Sequence, residues 1–378
     1  MKHLLYIVFV CLFAACTSGV KQQENTENQN IATDTGSYYK RYEGTVAGQP
    51  VVLHLIKNSR LLTANYNYTK QGKPIELYFS ADSGVVNGYT ADEPPAQWDA
   101  QQQPQWKVVL DAKSITGKWI SADKQKTYDI KLQEAYPAGS YQLGVWERSE
   151  TIKLRADKKE PAALCSYMLL RLKDNAKKEY VDFYDKLLLK EITNDTTAKT
   201  IEESIEASMI AYGNQYKSEL KEELDTEIGA WMNYSSTNEM NVIMNDDNWV
   251  IVALSAYAYT GGAHGNYGIS YINIDMQSKK QWKMEDILTV DTAQLQALLE
   301  DEARKQYNMP ATAKLEENYL TDKILPNGNV YITHTGITFV YNPYEIASYA
   351  QGIISLFIPY EKLKPLLQPV FKQRMGIN

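Results

Sequence analysis

Cysteine is nearly absent from this chain: Cys11, Cys16 and Cys165 are the only three in 378 residues. Two of them lie within the first sixteen positions, so the rest of the chain carries one thiol and no intramolecular disulfide. Its stability must come from a packed core. Cys165 sits in the apolar run Ala162-Ala-Leu-Cys-Ser-Tyr-Met-Leu-Leu170 and reads as a small buried hydrophobe. Histidine is also scarce, and beyond the first residues only His54, His264 and His334 remain. There is no HExxH pattern and no spaced Cys/His set, so no metal ligand is assigned. Only a fold that brought His264 and His334 together with carboxylates would open a metal site. The G-x-S-x-G elbow, the Walker loop and the G-x-G-x-x-G fingerprint are missing as well, which removes serine hydrolase, NTPase and dinucleotide readings. No cofactor is expected and no catalytic residue is assigned. The net charge of −7 comes without a basic cluster, which argues against nucleic acid as a partner.

What the N-terminus has is a leader. Lys2, the apolar run Leu4 to Phe13 and small residues before Cys16 form the charged, apolar and small-residue regions of a secretory signal over residues 1–15. The run is too short to span a bilayer. Leu12-Phe-Ala-Ala-Cys16 resembles a bacterial lipobox, so Cys16 is expected to carry a lipid anchor on an exported protein. Whether that protein faces the periplasm or the cell surface is left open by the residues after it. Residues 16–37 are rich in Gln, Asn, Thr and Glu and read as a flexible tether.

The remaining length, roughly 340 residues, suggests more than one domain. Over 38–136 eight short strand candidates recur: 42–46, 51–57, 61–68, 75–79, 85–89, 106–110, 115–120 and 128–132. Turn signals such as Ala47-Gly48, Gln71-Gly72 and Asn87-Gly88 separate them. This spacing predicts an all-β barrel or small sandwich. Trp98, in the longer loop 93–104, is either a contact residue or a ring folded back onto that domain. His54, in Val51-Val-Leu-His-Leu-Ile56, reads as a satisfied structural residue.

From Tyr141 the pattern changes to α+β. Strands are predicted at 145–154 and 164–172, then a helix over 175–190. Thr200-Ile-Glu-Glu203 is a capping-box start for a longer helix whose inward stripe is Ile201, Ile205, Met209, Tyr212, Tyr216 and Leu220. These elements fill 141–230. Over 231–378 strands at 240–244, 249–259, 267–275, 329–334, 337–341 and 352–358 are expected to join one sheet, with a helix from 291 and a short one at 360–367. The fold class is α+β, with mixed or antiparallel pairing.

The candidate functional residues cluster around Tyr259-Thr-Gly-Gly-Ala-His-Gly-Asn-Tyr267, a glycine-rich connection between two strands. Gly261, Gly262 and Gly265 leave little bulk around His264. His264 and Asn266 either fix the hairpin by bonding loop carbonyls or line a recognition surface with Tyr259, Tyr267 and the tyrosines of Tyr341-Asn-Pro-Tyr344. Glu345 either binds a ligand or caps its turn, and the cap is favoured.

These residues, with Phe339-Val-Tyr-Asn-Pro-Tyr-Glu-Ile-Ala-Ser-Tyr-Ala-Gln-Gly352, resemble the extracytoplasmic domain shared by the lysozyme-responsive anti-sigma factor RsiV and the peptidoglycan deacetylase PdaC. The resemblance runs over about 141–367. It implies a binding module outside the cytoplasmic membrane, with lysozyme or a peptidoglycan fragment as its ligand. Three departures stand against copying either protein's role. A lipobox takes the place of the RsiV membrane helix and sigma-binding segment. No separate catalytic domain of the PdaC kind fits in the chain. Ser348 occupies the position where the family pattern has proline. The expected function is a non-enzymatic envelope lipoprotein that binds a protein or cell-wall ligand; the alternative is an envelope enzyme acting on glycans or peptidoglycan, which the 46 Asp and Glu residues leave open.

Overall fold

The computed structural model describes residues 36–94, 102–193, 198–225, 229–289 and 292–378. The expected signal segment, Cys16, most of the tether and Trp98 lie outside the described residues.

The first part is a closed antiparallel barrel of eight strands in sequence order: β1 (Tyr38–Val46), β2 (Gln49–Lys57), β3 (Leu62–Tyr68), β4 (Ile75–Ala81), β5 (Gly88–Asp92), β6 (Gln105–Leu110), β7 (Ser114–Ile120) and β8 (Thr127–Glu134). Pairing of Tyr42 with Glu134 through Val46 with Ile130 closes β1 on β8 and removes the sheet edge. β5 begins three residues later than the apolar pattern at Val85 predicts. There Asp82 accepts from the Gly84 and Val85 amides and Asn87 takes φ +54, so residues 82–87 are spent on the turn.

Side-chain alternation explains why β2 reads as apolar on both faces. Val51, Leu53 and Leu55 fill the barrel with Tyr42, Tyr66 and Trp106, while Val52, His54 and Ile56 point outward and are buried too. The outward faces of β1 to β3 carry one cross-strand row, Arg41, His54 and Asn65, and a second, Glu43, Val52 and Asn67. The α+β part covers them: the Asn65 amide donates to the Val242 carbonyl at 2.6 Å, and Tyr39 and Ile56 join the core beneath the helices.

The second part has β9 (Leu143–Lys153), β10 (Ala162–Leu172), α1 (Lys178–Leu188), α2 (Ile201–Glu219), β11 (Ser235–Asp246), β12 (Trp249–Tyr259), β13 (Asn266–Asp275) and β14 (Lys280–Trp282). Its six strands lie in the order β14-β13-β12-β11-β10-β9. Only β10 and β11 are parallel, as the helical crossover between them requires. α2 starts at Thr200, whose hydroxyl accepts from the Glu203 amide at 3.2 Å, while the Glu203 carboxylate takes the Lys199 amide. Its expected stripe is buried, with Tyr212 only half so. Glu202 pairs with Arg171, which also holds Asp185.

The chain continues through α3 (Met284–Ile287), α4 (Thr292–Gln306), β15 (Val330–Ile332), β16 (Gly336–Tyr341), β17 (Ile354–Pro359), α5 (Tyr360–Leu363) and α6 (Pro369–Met375). β15 to β17 form a separate three-stranded sheet and do not extend the larger one. The reason lies at the β13 edge, where β14 already pairs with residues 273–275. The Asn273 side chain bridges the gap instead, donating to the Val330 carbonyl at 2.8 Å and accepting from the Ile332 amide at 3.0 Å. One core lies between the six-stranded sheet and α1/α2, and another lies under the small sheet with α4 and α6.

Candidate functional site

β12 and β13 form a long hairpin whose far end carries the glycine-rich turn. Tyr257 pairs across the strands with Tyr267, and Ala258 with Asn266. The turn needs glycine for two reasons. Gly261 and Gly262 adopt φ +89 and +94, a region costly for residues with a Cβ. At Gly265 a Cβ would sit 2.5 Å from the Tyr257 ring, so its absence lets that ring lie against the turn.

The second wall comes from the loop after β16. Asn342 ties it to β13, accepting from the Ile269 amide at 2.7 Å and donating to the Ile269 carbonyl at 3.2 Å. The turn then closes through the Tyr344 amide on the Ala347 carbonyl, which holds Tyr344 at φ +71 with its side chain turned out and 58% exposed. Ser348 takes φ −69, a value proline would share, but its amide and hydroxyl both donate to the Gln351 Oε1, at 3.0 and 2.8 Å. The serine therefore fixes this turn by hydrogen bonds in place of a ring constraint.

Tyr349 is where the two walls meet. His264 stacks on it with centroids 4.1 Å apart, Tyr267 meets it edge-on at 5.4 Å, and Tyr344 lies 6.0 Å away. Its hydroxyl donates to the Gly265 carbonyl at 2.8 Å. Desolvation, with the neighbouring Tyr267, Tyr257 and Tyr344 hydroxyls, pushes the Tyr349 phenol above its ordinary value. The result is an aromatic platform with Tyr257 and Tyr344 standing out of it and exposed Trp231 beside Gly261.

Of the sequence candidates, His264, Gly265, Tyr267 and Tyr344 are gathered around Tyr349. His264 Nδ1 also lies 2.9 Å from the Gly265 carbonyl, and Tyr259 donates to the Gly262 carbonyl at 3.0 Å. Asn266 is exposed at the strand end. Glu345 is exposed as well, accepting from Asn327 at 3.1 Å, while its own amide closes the turn onto the Asn342 carbonyl. Tyr341 does not reach the platform; it is core, with its hydroxyl on the Leu325 carbonyl. Tyr257 and Tyr349 are the members that sequence reasoning does not single out. Their signal is tyrosine density, 28 Tyr against 7 Phe, concentrated here on a turn.

His264 and His334 are not brought together. His334 lies at the β15–β16 turn and bonds Asp246 at 2.8 Å. Among the described residues no group of three or more His, Cys, Asp or Glu is arranged to hold a metal ion. Nor does a helix among them have the length and apolarity to cross a membrane. Cys165 is buried and its thiol is pushed up to about 11 by burial.

Residues 175–267 match the family profile described as Deacetylase PdaC. Residues 285–361 match that of a protein family of unknown function, DUF3298. The platform straddles both segments, with His264 and Tyr267 in the first and Tyr344 and Tyr349 in the second. Among solved structures, a DUF3298 family member from Bacteroides fragilis is 25% identical, with a TM-score of 0.57, covering 63% of this chain and 99% of that one. A DUF3298 family protein from Pseudomonas aeruginosa is 21% identical with a TM-score of 0.46, covering 62% of this chain and 98% of that one. No curated protein matches the chain. Both matched segments lie beyond the barrel.

Proposed function

We propose that this protein is a binding module of the bacterial cell envelope, exported and lipid-anchored at Cys16, whose recognition surface is the tyrosine platform. The observation that carries the reading is Tyr344, an aromatic ring 58% exposed on a left-handed backbone and set beside the stacked Tyr349 and His264. Nothing in the core needs that ring in the open. Tyrosine gives a binding surface large contact area with few rotatable bonds, and a prepositioned cluster loses little entropy on contact.

The class of ligand is a protein, and lysozyme is the first candidate. The resemblance to RsiV points to it, and the acidic balance of −7 suits a cationic partner. The platform offers no nucleophile paired with a base, which favours recognition over turnover.

The test is calorimetric titration of residues 36–378, which form one compact unit, with lysozyme at moderate ionic strength so that charge alone does not dominate. Saturable one-to-one binding, lost in Tyr344→Ala and Tyr349→Ala, supports the reading. Absence of heat and of co-elution removes lysozyme, and hydrolysis or deacetylation of peptidoglycan by the protein would replace the binding module with an enzyme.

A further inference from the structure

A second site lies away from the platform, where the outer face of the barrel meets the end of β11 and the β15–β16 turn. A cleft of about 370 Å³ opens there, within the range of small-molecule sites. Its floor takes Arg41 and His54 from one barrel row and Glu43, Val52 and Asn67 from the other, together with Ile243 and Met244.

Four residues define its chemistry. Arg41, 1% exposed, donates to the carbonyls of Ala135 and Asn245 at 2.9 Å each and to Glu43 at 2.8 Å, with Asp246 at 3.6 Å. Asp246 is placed by a two-residue turn, Asp247 and Asn248 at φ +47 and +62, and holds exposed His334 at 2.8 Å. His54 is 2% exposed, and its tautomer follows from its neighbours. The Asn245 side chain is oriented by the Tyr141 backbone, its oxygen taking the amide at 2.8 Å and its nitrogen giving to the carbonyl at 2.7 Å. That nitrogen also donates to the Tyr39 hydroxyl at 3.0 Å, which leaves the hydroxyl hydrogen for His54 Nδ1 at 2.9 Å. The imidazole is neutral, so Nε2 carries a hydrogen, and among the described residues no acceptor takes it although the residue lines the cleft.

A donor fixed on a buried side chain and open to the cleft, with no protein acceptor, marks a place for a ligand atom. The rest of the lining narrows the ligand. Glu43, Asp246 and Asp247 set three carboxylates against Arg41 and His334, a balance unsuited to an anion. Asn67 and Thr69 add neutral polar groups, and Val52 an apolar patch. Donors and acceptors interleaved with a few apolar side chains match a neutral polyhydroxylated molecule. The geometry points to a saccharide-binding subsite in this cleft, with His54 Nε2 and Asn67 as donors to sugar oxygens and the Asp246–His334 pair as a second anchor. It is independent of the platform reading.

Saturation-transfer NMR on the full chain, with glucose, N-acetylglucosamine, cellobiose and chitobiose as probes and inorganic phosphate as competitor, tests this. Saturable transfer from at least one sugar is expected, unaffected by phosphate and by Tyr344→Ala. His54→Gln is expected to weaken it about tenfold, and the half-buried or exposed Asn67→Ala and His334→Gln do the same should the buried variant fail to fold. Transfer from none of the sugars, competition by phosphate, binding that survives Asn67→Ala and His334→Gln, or binding lost only in Tyr344→Ala would each overturn the subsite.

Discussion

The imidazole of His264 lies flat against the ring of Tyr349, centroids 4.1 Å apart and planes 26° from parallel. With the Tyr349 hydroxyl on the Gly265 carbonyl, this contact fastens the β12–β13 hairpin tip to the loop after β16. Two segments that match different family profiles therefore share one surface. Stacking and a hydrogen bond hold its rings before any ligand arrives.

Tyr344 separates binding from folding. Its ring is exposed and its backbone sits at φ +71, where a residue with a Cβ is strained by about 1 kcal/mol or more. Tyr344→Gly is expected to leave the urea midpoint unchanged or slightly raised, because glycine relieves that strain. Ligand affinity at the platform is expected to fall tenfold or more, about 1.4 kcal/mol. Parallel denaturation and titration check this, and a large loss of stability would make the ring structural.

Glu93 organises the barrel interior. Its Oε1 accepts from the Tyr66 hydroxyl at 2.7 Å, Trp106 Nε1 at 2.7 Å and Trp119 Nε1 at 2.8 Å. Glu93→Ala leaves three donors without an acceptor, two of them buried, and is expected to cost about 3 kcal/mol or more. Glu93→Gln keeps a carbonyl oxygen there and is expected to cost well under half as much. Tryptophan fluorescence during urea unfolding reports both; equal costs would mean that packing, not acceptance, is what Glu93 supplies.

Most of the architecture is legible locally. The eight strands of the barrel announce themselves by alternation and turn residues, and α2 by its stripe and its Thr200 cap. Placement of β15 to β17 is not legible, because it turns on Asn273 bridging to Val330 across an edge already taken by β14. The candidate site is half legible. Glycines and tyrosines mark the hairpin tip, but which tyrosine goes inward, Tyr341, and which outward, Tyr344, is set by a turn whose left-handed residue is not glycine. The Arg41, His54 and Asp246 cleft joins three distant elements. Its one sequence clue is a histidine and an arginine facing out of strands that are buried on both sides.

Arg41 couples the barrel to the α+β part, since its guanidinium spans Ala135 on one side and Asn245 with Asp246 on the other. Arg41→Ala removes a buried charge that two carbonyls and two carboxylates depend on, and is expected to cost roughly 3–5 kcal/mol. It is also expected to split the unfolding transition. Helical circular dichroism and hydrogen exchange of the barrel amides coincide in the parent protein and separate in the variant. Coincident curves in both would place the coupling elsewhere.

Acid sensitivity should originate at His54. Burial, reinforced by the Arg41 charge, pushes its pKa down to about 3, while an unfolded chain holds histidine at about 6.5. As pH falls below about 6.5 the unfolded chain takes the proton and the folded one does not, so stability is full above that pH and declines toward pH 3. At pH 4.5 the expected loss is on the order of 2 kcal/mol relative to pH 7. Two neighbours act in other windows. The hydrogen bond to Asp246 raises His334, whose contribution is complete below about 6.5 and disappears as pH rises through its folded value. Burial raises the Asp246 carboxyl, but His334 and Arg41 outweigh it and hold it below the ordinary range, so its contribution is present above about 4 and is lost as pH falls through the folded value. The His334 side chain is 43% exposed, so solvent screening leaves its gain too small to offset His54. Urea midpoints at pH 7 and 4.5 are therefore expected to differ clearly in the parent protein and much less in His54→Gln. A parent protein equally stable at both values would mean that His54 is not held neutral in the folded protein, and the Tyr39 hydroxyl would then not be donating to its Nδ1.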